Sequence, residues 1–274
     1  MPELPEVQTI INDLNDSGIT GKRILRAETD WPGMITSCSR SAFCRQMSDV
    51  RINEVWRRGK FLVFDLPGRV LLIHLRMSGR INLVAADAPR SKHEHLILFL
   101  DDGCELRLHD TRKFGRVYLV ENEDDVLGTL GMEPLGVDFK YVAFATELKR
   151  RKRMIKPLIM DQKFIAGLGN IYADESLWEA RIHPQCQAHS LSDADMRALW
   201  SAIPRVLKRG LKNGGTSLGE GIGNYSSIAG RRGENMVALK VYGRTELPCK
   251  RCGTPIKRIV VGQRSSHFCP VCQN

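Results

Sequence analysis

The sequence predicts an α+β protein with several domains: an N-terminal helix with a β-sandwich, then a helical region, then a C-terminal cysteine-rich hairpin. Three observations predict this fold class. The first residues have helical apolar spacing, residues 22–120 form short β-rich runs between turn signals, and the last 26 residues contain the pattern C-x2-C-x16-C-x2-C. A chain of 274 residues is long enough for about two domains that each bury a core.

The first helix is predicted by Val7, Ile10, Ile11 and Leu14, whose spacing puts their side chains on one helical face. The pattern starts within a few residues of the N-terminus and stops near Gly18, a residue typical of helix ends.

Two β-hairpins are predicted next. KFLVFDL and RVLLIHLRM are separated by Pro67-Gly68, and HLILFL and ELRLHD are separated by Asp102-Gly103. The N-terminal domain is therefore expected to be a helix packed against a β-sandwich or barrel. Residues 128–139 have the glycine and proline content of a linker.

The rest of the chain is predicted to be mainly helical. Ala173–Ala180 follows a GLGN turn and starts one helix, and Ser192 with Asp195 can cap another that runs through Leu211. Residues 214–234 contain seven glycines, so we interpret them as a mobile loop.

The charge is distributed unevenly along the chain. Residues 1–148 contain 19 basic and 22 acidic side chains, whereas residues 149–274 contain 22 basic and 9 acidic ones. This asymmetry favours binding to a polyanion, most simply a nucleic acid. The alternative is a solvated basic face with no partner.

The terminal cysteines predict one structural zinc ion. Four thiolates complete a tetrahedral shell and leave no position for a catalytic water, and two disulfides are the alternative. Without an export signal or an 18-residue apolar run, we expect a reduced, cytoplasmic protein with no membrane span. The ligands are Cys249, Cys252, Cys269 and Cys272, and we expect Cys38, Cys44, Cys104 and Cys186 to be reduced and mostly buried.

The N-terminus MPELPE has two interpretations. Removal of Met1 would expose the secondary amine of Pro2, and an α-amine with a reference pKa near 8 is partly neutral at pH 7. Such an amine can attack an aldehyde-like carbon and form an iminium. The alternative is a proline at a helix start, with Glu3 and Glu6 in the first turn for their favourable interaction with the helix dipole.

Several further motifs, taken in order, decide between these interpretations because together they resemble the bacterial formamidopyrimidine-DNA glycosylase family. The motifs are MPELPEV at 1–7, RRGKF at 57–61, HLRMSG at 74–79, DTRKFGR at 110–116, IKPLIMDQ at 155–162, GLGNIYADE at 167–175, VYGR at 241–244 and the four-cysteine tail.

The resemblance implies a three-part architecture and a DNA substrate. The parts would be a catalytic β-sandwich domain at 1–131, a helix–two-turns–helix DNA-binding domain at 132–238 and a zinc-finger hairpin at 239–274. Damaged duplex DNA would lie in the cleft between the domains, and we expect a monomer associated with the nucleoid.

The resemblance also implies catalytic roles in a glycosylase with AP lyase activity on oxidised purines such as 8-oxoguanine and formamidopyrimidines. Pro2 would form the Schiff base, Glu3 would act as general acid–base, and Glu6 would support the nucleophile or relay protons. Lys60 would neutralise a phosphate and assist proton transfer, whereas without the family resemblance a single lysine in RRGK is more often a solvated charge. Arg264 would assist δ-elimination.

The remaining assignments are DNA contacts. Met77, Arg112 and Phe114 match residues that fill the space left by an extruded base, whereas core packing is the usual role of such apolar side chains. Phosphate contacts are expected from His74, His93, Arg151, Lys156, Asn170, Tyr242 and Arg264.

Two departures from the family pattern concern the substrate. The family usually has Glu where this chain has Gln8, and Phe-Gln where it has Asn235-Met236. An enzyme of endonuclease VIII type that excises oxidised pyrimidines is one alternative, although its N-terminus is typically PEGPE. The other is a noncatalytic protein that binds damaged DNA on the same scaffold.

Overall fold

The computed structural model describes residues 1–218, 225, 227–228 and 230–273. The chain divides into two compact units: the first contains Met1–Thr129 and Asn213–Met236, and the second contains Leu130–Lys212 and the rest of the chain from Val237. The boundary at Thr129 lies inside the predicted linker. The finer division at residues 131 and 238 stays a prediction.

The first unit contains three helices and nine strands among its described residues. The helices are α1 (Leu4–Asp16), α2 (Arg40–Gln46) and α3 (Asp124–Leu127). The strands are β1 (Arg23–Thr29), β2 (Val50–Arg51), β3 (Glu54–Arg58), β4 (Phe61–Leu66), β5 (Arg69–His74), β6 (Arg80–Ala85), β7 (Glu94–Leu100), β8 (Cys104–His109) and β9 (Arg116–Val120).

These strands form two antiparallel sheets, in the orders β2-β1-β7-β8-β6 and β3-β4-β5-β9. One hydrophobic core takes side chains from both sheets and from α1, as expected for a β-sandwich with a packed helix. Both predicted hairpins are confirmed, since β4 pairs with β5 and β7 pairs with β8.

Helix α1 confirms the first prediction, because Val7, Ile10, Ile11 and Leu14 are all buried in this core. The sequence analysis missed α2, a short helix within the β-rich region. Ser39 caps it by accepting a hydrogen bond from the Ala42 amide, and Phe43 is the buried side chain that holds it.

The second unit contains four helices and one hairpin in its described part: α4 (Tyr141–Lys149), α5 (Ile155–Ile159), α6 (Asn170–Ala180), α7 (Asp193–Lys212), β10 (Lys257–Val261) and β11 (Arg264–Phe268). Short 3₁₀ helices cover Pro32–Met34, Ala188–Ser190 and Asn235–Ala238.

Helix α6 begins at Asn170, three residues before the predicted start, because Gly169 already has the extended conformation of an N-cap. The capping of α7 is as predicted, since Ser192 and Asp195 exchange hydrogen bonds. The two helices approach closely at Gly210, where an added Cβ would lie 2.5 Å from the Tyr172 ring.

The described residues include no helix long and apolar enough to cross a membrane. The predicted mobile loop at 214–234 falls partly outside the described residues, which omit 219–224, 226 and 229.

Candidate active site

The site is built first from the start of α1. Pro2 is buried directly before this helix, and the Glu3 amide donates a 2.8 Å hydrogen bond to Oε2 of Glu6. Glu6 thereby occupies the first turn, where a helix dipole favours a carboxylate. The side chains of Glu3 and Glu6 are both almost fully buried. Two carboxyl groups therefore flank the chain end away from bulk water.

Glu6 also holds the segment that returns to this unit after α7. Its Oε1 accepts a 2.7 Å hydrogen bond from the Thr216 amide. Gly215, with φ +85°, lies so close that an added Cβ would be 2.9 Å from Cγ of Glu6. Sequence reasoning missed this contact because the glycine-rich segment carried no signal for a partner 210 residues away.

The unusual Asn235 supports the same segment. Its side chain is only 3% exposed and donates to Oγ1 of Thr216, while its own Oδ1 accepts from the Asn213 side chain. The asparagine amide therefore fixes the segment through both of its polar atoms, whereas the adjacent Met236 is exposed.

The other departure, Gln8, also has a defined contact. Its Oε1 accepts a 3.0 Å hydrogen bond from Nε of Arg57, and its Nε2 donates to Asn12. The neutral side-chain amide of Gln8, one turn along α1 from the chain end, thus accepts a hydrogen bond from the guanidinium of Arg57 in the RRGKF motif.

Charged groups of both signs surround the α-amine. Burial lowers the pKa of the Met1 amine, the carboxylates of Glu3 and Glu6 raise it, and the nearby cations Lys60 and Arg112 lower it. The net effect is a lowered pKa, so a larger fraction of an amine at this place is neutral and nucleophilic. The structure therefore brings four predicted site residues to the N-terminal amine: Glu3, Glu6, Lys60 and Arg112.

Lys60 comes from the tight turn between β3 and β4, next to Gly59 with φ +56°. It is buried, and Phe61, the next residue, pairs across the sheet with His74. The Phe61 and His74 rings meet edge to face at 4.7 Å. This pairing places the lysine and the histidine at the same end of the β4–β5 hairpin.

His74 is held as a neutral imidazole. Burial, with smaller contributions from Arg76 and Lys60, lowers its pKa to about 3. Its Nδ1 lies 3.0 Å from the Arg76 amide and accepts that hydrogen bond, so the ring proton belongs on Nε2. His74 can therefore donate one hydrogen bond to an anion without carrying charge.

Met77, Arg112 and Phe114 lie on two turns, β5–β6 and β8–β9, which we call the wedge loops (residues 75–79 and 110–115). Met77 is 40% exposed and Phe114 is 45% exposed, which excludes the core-packing alternative. The Arg112 guanidinium lies 4.8 Å from the centre of the Phe114 ring.

Asp110 organises both wedge loops and was missed as a site residue. Its fully buried carboxylate accepts hydrogen bonds from the Ser78 hydroxyl and from the Arg112 and Gly115 amides. These hydrogen bonds lower the pKa of Asp110 despite the opposing effect of burial. The signal was in the sequence, since aspartate at a turn commonly binds the amides that follow it.

His93 is half-buried before β7 and meets the His109 ring edge to face at 5.6 Å.

The remaining predicted contacts belong to the second unit. Arg151 is exposed and pairs with Glu147, Asn170 is the first residue of α6, Tyr242 packs on the His267 ring, and Arg264 is exposed directly after the Gly262-Gln263 turn of the hairpin.

Lys156 differs from expectation. Its side chain is 0% exposed, and its ammonium pairs with Asp174 at 2.7 Å and donates to Ser265 O and Ser266 Oγ. Three acceptors match the three N–H bonds of an ammonium. In this arrangement Lys156 joins α5 to α6 and the hairpin, and does not present its charge to a phosphate.

Two neighbouring carboxylates in the GLGNIYADE motif also have structural roles that the sequence analysis missed. Asp174 accepts from the His267 amide in addition to pairing with Lys156. Glu175 accepts from the Lys240, Val241 and Tyr242 amides, and so fixes the VYGR segment.

The four terminal cysteines form the metal site. Their sulfur atoms all lie within 4.8 Å of one another, as four ligands of one tetrahedral ion require, since Zn–S bonds of about 2.3 Å separate sulfurs by about 3.8 Å. The Cys249 sulfur accepts hydrogen bonds from the Trp178 indole and the Arg251 amide. Such donors stabilise thiolates, so the donor set fits one structural zinc ion. The disulfide alternative is not realised, because all four cysteines are free.

Comparison with known proteins gives three family matches. The formamidopyrimidine-DNA glycosylase N-terminal domain matches residues 1–117, the H2TH domain of the same glycosylase matches 130–220, and the zinc finger found in FPG and IleRS matches 246–274.

Individual relatives match over the full length. The formamidopyrimidine-DNA glycosylase of Herpetosiphon aurantiacus is 45% identical, with 100% of both chains covered. A point mutant of Lactococcus lactis FPG in complex with Fapy-dG containing DNA superposes with a TM-score of 0.92 at 36% identity, covering 100% of both chains. The wild-type L. lactis protein bound to DNA with an oxidised pyrimidine gives 0.90 at 36% identity, also covering 100% of both.

Proposed function

The chain belongs to the formamidopyrimidine-DNA glycosylase family, and on that premise we propose that Pro2 is the nucleophile of this base-excision-repair DNA glycosylase with AP lyase activity. The observation that carries the proposal is the cluster of Glu3, Glu6 and Lys60 around the α-amine. Removal of Met1 would leave the Pro2 nitrogen as the chain's α-amine, beside the same two carboxyl groups.

The reaction follows from the chemistry of a secondary amine. The Pro2 nitrogen attacks C1′ of the damaged nucleoside and loses its proton, the glycosidic C–N bond breaks and the base leaves with a proton. The C1′–O4′ bond then breaks, O4′ takes up a proton, and C1′ becomes the carbon of an iminium with Pro2. The resulting iminium draws electrons from C2′, so that loss of a C2′ proton expels the 3′-phosphate, and a second elimination expels the 5′-phosphate. Water then hydrolyses the iminium and releases the free amine.

Glu3 is suited to proton transfer at the sugar because its buried carboxyl lies beside the nucleophile. Glu6 positions this part of α1, since its two oxygens hold the Glu3 and Thr216 amides. Lys60 supplies positive charge for a phosphate near C1′, and neutral His74 supplies one N–H donor from Nε2.

The wedge loops are suited to stabilise the duplex after the lesion has left it. Base extrusion costs a few kcal/mol, and the exposed Met77 and Phe114 side chains can replace part of the lost stacking. Arg112, adjacent to the Phe114 ring, can donate hydrogen bonds to the unpaired base.

In the second unit, Arg151, Asn170, Tyr242 and Arg264 are proposed as phosphate contacts. Arg264 is proposed also to assist δ-elimination, because the hairpin turn presents its guanidinium to solvent. The zinc ion would act only as a structural crosslink, since four thiolates leave it no open position. Lys156 would stabilise the hairpin through its hydrogen bonds to Ser265 and Ser266.

We propose oxidised purines, such as 8-oxoguanine and formamidopyrimidines, as the substrates in duplex DNA, because the N-terminus reads PELPE. The L. lactis relative has also been crystallised with an oxidised pyrimidine, so both lesion classes belong in the test. We further propose that the protein works as a monomer on the nucleoid in the cytoplasm.

The experiment is single-turnover excision, with borohydride trapping, on matched duplexes that contain 8-oxoguanine, a formamidopyrimidine or an oxidised pyrimidine. Faster excision and trapping on both purine lesions supports the proposal. Preference for the pyrimidine would assign an endonuclease VIII type of specificity. Tight binding with neither excision nor an adduct would indicate a noncatalytic damage-binding protein.

A further inference from the structure

A group of basic side chains at the base of the wedge loops has no role in the mechanism above. Arg80 is the first residue of β6, directly after one wedge loop, and it pairs with His109, the last residue of β8, directly before the other. In the sheet register, His109 also lies opposite Glu94 of β7. The centre of the His93 ring lies 5.6 Å from the centre of the His109 ring. Three basic residues thus meet where the two loops leave the sheet.

The Arg80 guanidinium lacks acceptors for two of its buried nitrogens. Among the described residues, neither Nε nor Nη2 of Arg80 has a hydrogen-bond partner, and neither does the buried Nδ1 of His109. Burial lowers the pKa of Arg80, as expected for a cation removed from water. Unpaired buried donors on a cation are costly, so this arrangement favours binding of an anion.

The carboxylates close to this group are already engaged. Glu94 uses Oε2 to accept from the Ser91 amide and from the Arg107 guanidinium. Asp110 accepts from Ser78 and from two amides of its own loop. Among the described residues, neither carboxylate accepts a hydrogen bond from Nε or Nη2 of Arg80, so an acceptor from outside the protein fits the site best.

We propose that Arg80, His93 and His109 form a binding subsite for one phosphodiester of the DNA backbone, at the base of the wedge loops. This inference rests on the proposed function, and the sequence analysis already expects His93 to contact a phosphate. It adds Arg80 and His109, and it identifies the phosphate as one beside the bases that the wedge residues contact. Because Arg80 is only half-buried, rotation of its side chain brings the guanidinium to an anion at the surface.

The test is equilibrium binding of the full-length protein to a duplex with a tetrahydrofuran abasic analogue, measured by fluorescence anisotropy at several salt concentrations. Arg80→Gln should raise Kd about tenfold and reduce the slope of log K against log salt by about one, as loss of a single phosphate contact predicts. Arg23→Gln is the matched control, since Arg23 is an exposed arginine of the same unit paired with Asp49. This control should leave Kd and slope unchanged.

A methylphosphonate scan identifies the phosphate. Each phosphate in turn is replaced with a neutral methylphosphonate. At one position this replacement should weaken binding of the wild type but leave the affinity of Arg80→Gln unchanged. The free Arg80→Gln protein should unfold at the same temperature as the wild type or higher, because the variant removes an unpaired buried cation. A lower unfolding temperature with unchanged Kd and slope would assign Arg80 a structural role and overturn the proposal.

His109 gives an independent readout through pH. Burial, Arg80 and His93 lower its pKa in the free protein, while Glu94 and Asp110 raise it. A bound phosphate would raise this pKa, so DNA binding takes up a proton and wild-type affinity increases as pH falls from 7 to 5.5. His109→Asn should flatten this increase, and an unchanged pH profile would remove His109 from the subsite.

The subsite and the proposed function fail in different ways. If wild-type protein forms no borohydride adduct with any lesion duplex, the proposed function is wrong, while the binding experiments still decide whether Arg80 contacts a phosphate. If the wild type forms the adduct but Arg80→Gln binds with unchanged Kd and salt slope, only the subsite is wrong.

Discussion

The Ser78 hydroxyl donates a hydrogen bond to Oδ1 of Asp110, and this bond joins the wedge loop that carries Met77 to the one that carries Arg112 and Phe114. Asp110 is fully buried and its other oxygen binds the Gly115 amide at 2.7 Å. The three side chains proposed to enter the duplex therefore share one buried carboxylate as their support, and a defect in it should affect all three.

Ser78→Ala tests this support. Loss of a hydrogen bond to a charged acceptor costs about 1.5–3 kcal/mol, so we expect single-turnover excision of a lesion from duplex DNA to fall at least tenfold. The measurement is a rapid-quench time course at subsaturating enzyme. Ser41→Ala, on the exposed side of α2, is the control and should match the wild type; equal rates for both variants would show that the loops do not depend on the Ser78 bond.

Phe114→Ala tests whether the wedge replaces stacking. An aromatic–base stack is worth about 1–3 kcal/mol, so excision from duplex DNA should slow about tenfold or more. Cleavage of an abasic site in single-stranded DNA should change far less, because no partner base is left unstacked there. Val142→Ala removes an exposed apolar side chain from the second unit and should alter neither rate. An equal loss on both substrates would contradict the wedge role.

Local patterns predicted much of the first unit. The stripe from Val7 to Leu14 and the two turn-separated hairpins reported the fold correctly because each depends on residues close together in the sequence. The four cysteines were predictable for the same reason, since their spacing alone defines a zinc ligand set. Helix α2 was missed because its seven residues are too few for a periodic signal.

Contacts between distant segments were not predictable. Nothing local in the glycine-rich segment indicates that the Thr216 amide binds Glu6. Lys156 was expected to contact a phosphate because it follows a basic run. Its ammonium instead pairs with Asp174 and donates to the hairpin. Both outcomes depend on tertiary packing, which brings together groups that are remote in the sequence.

His74 predicts a pH dependence of stability. Its pKa is about 3 in the folded protein, against about 6.5 when unfolded, so the unfolded chain binds more protons between these values and stability falls as pH decreases through this range. From pH 7 to 5 this effect amounts to about 2 kcal/mol. Urea unfolding should show that His74→Gln loses about 2 kcal/mol less than the wild type over this interval.

The exposed His189 provides the control for this measurement. His189→Gln should keep the wild-type pH dependence. If His74→Gln also keeps it, then His74 is not buried as a neutral imidazole.

Zinc content should be about one ion per chain, by the four-thiolate geometry. Cys252→Ser removes one ligand, and we expect both the metal content by mass spectrometry and the DNA affinity to fall sharply, since the hairpin that carries Arg264 depends on the ion. Cys104→Ser, a half-buried thiol of the first unit, should retain the metal. Purified, reduced wild-type protein without zinc would contradict the assignment.

The most direct test of the mechanism is to map the covalent bond that borohydride reduction traps between the protein and lesion DNA. After proteolysis and nuclease treatment, mass spectrometry should find the deoxyribose fragment on a peptide that begins at Pro2, with Met1 removed. An adduct on a lysine side chain, or an active protein that retains Met1, would contradict the assignment of Pro2 as the nucleophile.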